Sequence, residues 1–110
     1  VETRVSGDIS ILVPEGRLDT HTIGPVASWL DKMLANPPVR IVVNLERVTF
    51  VDSTALATFV QALKRCRQGA GKLHICGLRH SVFMIFELTR LDKAFDIFVD
   101  EAHAIQAFES

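Results

Sequence analysis

Three consecutive residues, Asp52-Ser53-Thr54, put one carboxylate and two hydroxyls where an apolar run gives way to an amphipathic helix. That trio supports three kinds of chemistry. As a helix cap, an Asp or Ser side chain accepts a backbone N–H that helix geometry leaves unpaired, worth roughly 1 kcal/mol, and Thr54 can share the work. As a phosphoacceptor, Ser53 in the first turn holds its hydroxyl outward, within reach of a kinase. A phosphate there meets free N–H groups and the positive end of the helix, so the fold survives while the surface gains a bulky group of roughly −1.5 to −2 charge. A partner docked over that corner through acidic or apolar groups is then expelled. As a nucleophile, Ser53 would make a small serine hydrolase, but VDSTA lacks the GxSxG elbow that presents such a serine.

The rest of the chain offers less chemistry. It contains neither a GxGxxG nor a GxxxxGKS/T loop, so neither common nucleotide site is supported. His21, His74, His80 and His103 form no HExxH or tight ligand cluster, which argues against a metal site. His74 and Cys76 share a strand face with no third ligand nearby in sequence; the spacing reads as core packing for Cys76 and an edge-facing position for His74. Cys66 and Cys76 are too few for a disulfide scaffold and read as reduced core thiols. Lys64, Arg65, Arg67, Lys72 and Arg79 make a loose basic group without interleaved aromatics to stack bases, so direct nucleic-acid binding is not expected.

The elements that must position Ser53 follow from the hydrophobic pattern. Two short apolar runs between Thr3 and Val13 flank Gly7-Asp8, a hairpin signal. The second stops at Pro14 and Gly16, leaving Leu18 as the lone apolar residue of a loop. From Thr22, a candidate cap, Ile23, Val26, Leu30 and Met33/Leu34 recur at helical spacing. Pro25 falls in the first turn, where its missing N–H costs little, and Pro37-Pro38 ends the helix. VRIVVNL is apolar on both faces, as an interior strand is. After NLERVTFVD, a helix carries Leu56, Phe59, Val60 and Leu63 on one face and Gln61, Lys64, Arg65 and Gln68 on the other. Gly69-Ala70-Gly71 closes it, and KLHICGL is a further strand. A helix from Ser81 to Leu88, with Val82, Ile85, Phe86 and Leu88 inward, precedes a strand at Asp96–Val99. A last helix capped by Asp100 runs to about Phe108.

Strands alternating with single helices imply parallel pairing through crossovers. The expected fold is α/β, one domain over residues 1–110, with a mixed, mostly parallel sheet, an N-terminal antiparallel hairpin strand and about four helices weighted to one face. The 110 residues, 48% of them hydrophobic, suffice for a single core. A net charge of −1 exerts no global pull on nucleic acid, and no run of about twenty apolar residues is present to insert in a bilayer. VETRVSGDIS lacks a basic region followed by an apolar run, so no secretory signal is expected, and the expected location is cytoplasmic.

With these residues in view, the chain resembles the anti-sigma factor antagonists, the single-domain bacterial form of the STAS fold. The resemblance is densest at IVVNLERVTFVDSTALATFVQALKRCRQGAGKLHICGL and SVFMIFELTRLDKAFDIF. The family's Asp-Ser-Ser/Thr-Gly-Leu motif reads here Asp52-Ser53-Thr54-Ala55-Leu56. The resemblance implies that Ser53 is phosphorylated by a partner anti-sigma factor serine kinase, with Asp52 as its supporting neighbour. It implies that the unphosphorylated protein binds the anti-sigma factor and frees the sigma factor, and that a PP2C-type phosphatase resets the switch. ATP then belongs to the kinase, and this domain carries no cofactor and no catalysis of its own. Ala55 stands where glycine is usual, adding a methyl group beside the expected docking corner. Arg90 replaces the glycine of a Leu-Thr-Gly-Leu segment, at a point where glycine suits a left-handed helix end. Phe83 and Met84 are adjacent and bulky on one helix, so both cannot face the core; one is expected at the surface near Ser53, as part of a partner interface. Two other readings remain open at this point: a STAS subunit of another assembly, such as a lipid-transport ATPase complex or a stressosome-like scaffold, and the small serine hydrolase.

Overall fold

The computed structural model describes residues 1–109. A five-stranded sheet forms its centre. Strands β1 (Glu2–Ser6) and β2 (Ile9–Val13) make an antiparallel hairpin around Gly7-Asp8. Gly7 sits at φ +62°, a conformation that costs glycine little. Beyond the hairpin, β2 pairs in parallel with β4 (Arg40–Asn44), β4 with β6 (Lys72–Cys76), and β6 with β7 (Asp96–Phe98), giving the order β1-β2-β4-β6-β7. This is the mixed sheet the alternating pattern predicts.

Period-2 alternation splits the strand residues between two faces. Leu12, Ile41, Val43, Leu73 and Ile75 point into the larger core, which α1 (Gly24–Leu34), α2 (Ser53–Gln68) and α3 (His80–Leu88) cover. Ile9, Ile11, Val13, Val42 and Cys76 face the other way, under α4 (Glu101–Gln106) and Phe108. Both faces of β4 are therefore dry, as VRIVVNL predicts. Phe59 of α2 and Phe86 of α3 are wholly buried, each stabilising the fold by about 1.5–3 kcal/mol.

Helix α2 carries the candidate site and is held tightly at its far end. Its buried residues, Ala55, Leu56, Phe59, Ala62, Leu63 and Cys66, recur at three- and four-residue steps. After Gly69 the chain turns through Ala70 at φ +61° and passes so close to β4 that a Cβ on Gly71 would lie 2.3 Å from the Val39 carbonyl oxygen. Only glycine fits there.

Several expectations are corrected. The segment after Pro14 is not a plain loop: Glu15–Leu18 forms β3, which pairs in parallel with β5 (Arg47–Val51) as a separate two-stranded sheet. Thr22 does not cap α1, whose N-cap position is Ile23 with no side-chain bond; the Thr22 hydroxyl instead donates to the Arg17 carbonyl oxygen at 2.6 Å and ties the preceding loop. Leu88 faces solvent at 80% exposure, because the helix ends beside it. His74 is not edge-facing but buried, stacked on Phe108 with ring centroids 3.9 Å apart, its Nδ1 2.9 Å from the Ala104 carbonyl oxygen. The α4 layer folds over β6 and converts a strand-face histidine into a core one.

Candidate functional site at the start of helix α2

The small β3–β5 sheet exists at the place where the site is built. Both strands run in the same direction, so their carboxyl ends emerge side by side. From β3 comes the loop Asp19–Ile23, from β5 the corner Asp52-Ser53, and Asp52 N–H donates to the Leu18 carbonyl oxygen at 3.1 Å to join them. Loops at the carboxyl ends of parallel strands are where α/β folds place their functional groups.

Asp52 is the N-cap of α2, with extended backbone. Its Oδ1 accepts the Ala55 N–H at 2.9 Å, and its Oδ2 accepts the Thr20 N–H at 3.1 Å. One carboxylate thus caps the helix and clamps the neighbouring loop. The Thr54 hydroxyl lies 3.1 Å from that of Thr20 and adds a second bridge between the same two segments. Among the described residues, these bonds leave Ser53 Oγ out: Ser53 is the first helical residue, exposed, at the positive end of a helix of 16 residues. No histidine hydrogen-bonds it, so the arrangement that would make it a hydrolase nucleophile is absent among the described residues.

The loop from β3 is itself ordered by local turn chemistry. Asp19 Oδ1 accepts the N–H groups of His21 at 2.9 Å and Thr22 at 3.2 Å. The His21 N–H, above all, holds the Asp19 carboxyl below its usual range. Sequence reasoning missed Asp19 and Thr20, although Asp19-Thr20-His21-Thr22 carries the Asp-turn signal that could have marked a structured loop. The pairing of Thr20 with Asp52 spans 32 residues and has no local signature. Arg17 lays its guanidinium 4.1 Å over the Phe50 ring beneath the corner.

The remaining motif residues divide by burial. Ala55 and Leu56 are buried. The extra methyl group of Ala55 therefore packs into the core and adds nothing to the surface beside Ser53, which corrects the sequence expectation. Arg90 stands at φ +63°, so the left-handed end that glycine would suit is present and occupied by arginine. Phe83 is half-buried and Met84 is 43% exposed, on a helix that packs against β5, the strand leading into Asp52. Cys76 lies wholly in the core, and burial, with Glu101 next, pushes its thiol up to about 12, so it is no nucleophile. Among the described residues no group of three or more His, Cys, Asp or Glu is placed to hold a metal, and no helix is long and apolar enough to cross a membrane.

Comparison with known proteins identifies the family and its fold. The STAS domain model matches residues 1–104. The anti-sigma-B factor antagonist of Staphylococcus aureus is 37% identical over 76 residues, 69% of this chain and 70% of that protein. An anti-sigma factor antagonist from Mycobacterium paratuberculosis superimposes with a TM-score of 0.88 at 20% identity, covering 99% of this chain and 92% of the other. The Bacillus cell fate determinant SpoIIAA in its phosphorylated form superimposes with a TM-score of 0.75 at 18% identity, over 97% of each chain. The chain belongs to the STAS domain family, among its anti-sigma factor antagonists. Such domains are typically regulatory rather than catalytic.

Proposed function

We propose that this protein binds an anti-sigma factor that is also a serine kinase, and that phosphorylation of Ser53 ends the complex. The observation that carries the reading is the exposed Ser53 hydroxyl on the first turn of α2, beside an Asp52 carboxylate whose two oxygens are committed to backbone N–H groups. Asp52 thereby fixes the loop and the helix start as one rigid surface on which a kinase can align the hydroxyl, and its charge steers and polarises the reaction there.

Phosphate on Ser53 has two local effects of opposite sign. The helix end attracts it, by about 0.3–1 kcal/mol, while the Asp52 and Asp19 carboxylates repel it. The two effects oppose each other and both act at the surface, so the domain stays folded while the surface changes from a small hydroxyl to a dianionic group. A complementary partner surface then meets charge it must desolvate and cannot pair. A PP2C-type phosphatase would restore the binding form. That a protein of the same fold has been solved in a phosphorylated form supports this reading. Partners of this kind place the protein in the cytoplasm.

The test is phosphotransfer from the purified cognate kinase. Wild type should take up one phosphate, located at Ser53 by fragmentation mass spectrometry, and Ser53→Ala none. Equal labelling of both would reject Ser53 as the acceptor, and Thr54→Ala would then show whether the neighbouring hydroxyl is used.

A further inference from the structure

Strand β1 is an outer strand of the five-stranded sheet: among the described residues its one neighbour is β2, and all five of its residues are exposed. The opposite border is guarded by brevity, since β7 has three residues. β1 has no proline, no break in its register with β2 and no excess of one charge, the usual protections against adding another strand.

We propose that β1 pairs antiparallel with β1 of a second copy of this chain, about a two-fold axis at Thr3, so that the two five-stranded sheets become continuous.

Backbone phase supports this pairing. The two-residue turn Gly7-Asp8 makes its flanking residues, Ser6 and Ile9, a pair that exchanges hydrogen bonds, and the alternation extends this to Arg4–Ile11 and Glu2–Val13. The N–H and C=O groups of Thr3 and Val5 therefore point away from β2, to the free edge. An axis at Thr3 brings outward-pointing groups opposite one another: Thr3 meets Thr3 of the second copy and Val5 meets Val1.

Charge selects the register. With the axis at Thr3, Glu2 of each copy lies opposite Arg4 of the other, twice per dimer, in the closer, non-exchanging pairs. Sliding the pairing by two residues in one direction sets Glu2 against Glu2; in the other it sets Arg4 against Arg4. Sequence VETRV is thus self-complementary when read antiparallel, as a two-fold interface requires. Within one chain Glu2 pairs with Arg4 and Arg47 through exposed side chains, contacts that contribute little, so Glu2 changes partner at little cost. Arg4 also reaches Glu101, whose side chain is 21% exposed, through Nη2, which leaves its Nε to face Glu2 of the other copy. Val1 and Val5, at 60% and 76% exposure, lie on the opposite strand face, where Val5 lines a groove with Thr3, Ser10, Trp29 and Met33. A second strand would cover that apolar row.

Sedimentation velocity across a concentration series tests the proposal, independently of any reading of Ser53. Wild type should double in mass as concentration rises. Thr3→Pro removes one outward N–H and leaves the β1–β2 bonds intact; it should stay monomeric, with unchanged circular dichroism. Glu2→Arg should weaken the dimer about tenfold or more, by replacing two opposite-charge pairs with like-charge pairs. Adding Arg4→Glu to Glu2→Arg should restore association. A wild type that is monomeric at every concentration overturns the proposal, as does a dimer that Thr3→Pro and Glu2→Arg leave equally tight.

Discussion

Asp52 gathers more of the local structure than any neighbour, because its two carboxylate oxygens serve two different segments. Asp52→Ala should destabilise the domain by about 1–2 kcal/mol, read as a lower urea midpoint with unchanged slope, and Asp52→Asn should recover only the cap, since its single amide oxygen can accept from Ala55 but its NH2 cannot accept from Thr20. Asp19 gives the corner a pH dependence. Its carboxyl is lowered in the folded state by the His21 N–H and, further, by Thr22. Its contribution is therefore fully present above the unfolded value of about 3.9 and is lost as pH falls through the lower folded value. The amide signals of His21 and Thr22 should titrate with a midpoint below that of a free aspartate; a midpoint at or above it contradicts the turn. At this scale the sequence was legible where chemistry is local: Asp-Ser-Thr before a helical stripe announces a cap and an exposed hydroxyl. It was not legible where the partner is distant, as with Thr20 and Asp52, or where a later layer covers a strand, as with His74.

Elements followed the same division. The helices are written in a periodicity of 3.6, and β4, which both layers cover, in the continuous apolar run Ile41-Val42-Val43. β3 and β5 escaped because each is short and half-wet. In Glu15–Leu18 only Leu18 is buried, and the exposed-buried alternation of Arg47–Val51 was absorbed into the approach to α2. Their pairing is a tertiary event, and it is what sets Asp19–Ile23 beside Ser53. The end of α3 illustrates a local rule broken. Arg90 holds a left-handed conformation that costs a side-chain-bearing residue about 1–2 kcal/mol, part of which glycine's greater chain entropy would offset. Arg90→Gly should therefore raise stability by about 0.5–1 kcal/mol, seen as a higher melting temperature; a drop would mean that the arginine side chain makes a compensating contact.

Over the whole molecule, the proposed switch lies apart from the core. Three helices seal one sheet face and α4 seals the other, so a charge placed at the Ser53 corner would change the surface and leave the core unaffected. The partner surface we propose extends from that corner to α3. Met84→Ala should weaken anti-sigma factor binding about tenfold, as an interface anchor does, while moving stability by no more than about 0.5 kcal/mol, as an exposed position allows. Phe83→Ala should weaken both, since that ring is half-buried. Unchanged affinity in both variants would confine the interface to the α2 corner. The proposed switch can be read by titrating the anti-sigma factor with this protein before and after full phosphorylation, under the same calorimetric conditions. Phosphate on Ser53 should abolish measurable binding while circular dichroism and melting stay nearly unchanged; equal affinity in the two forms would contradict the switch.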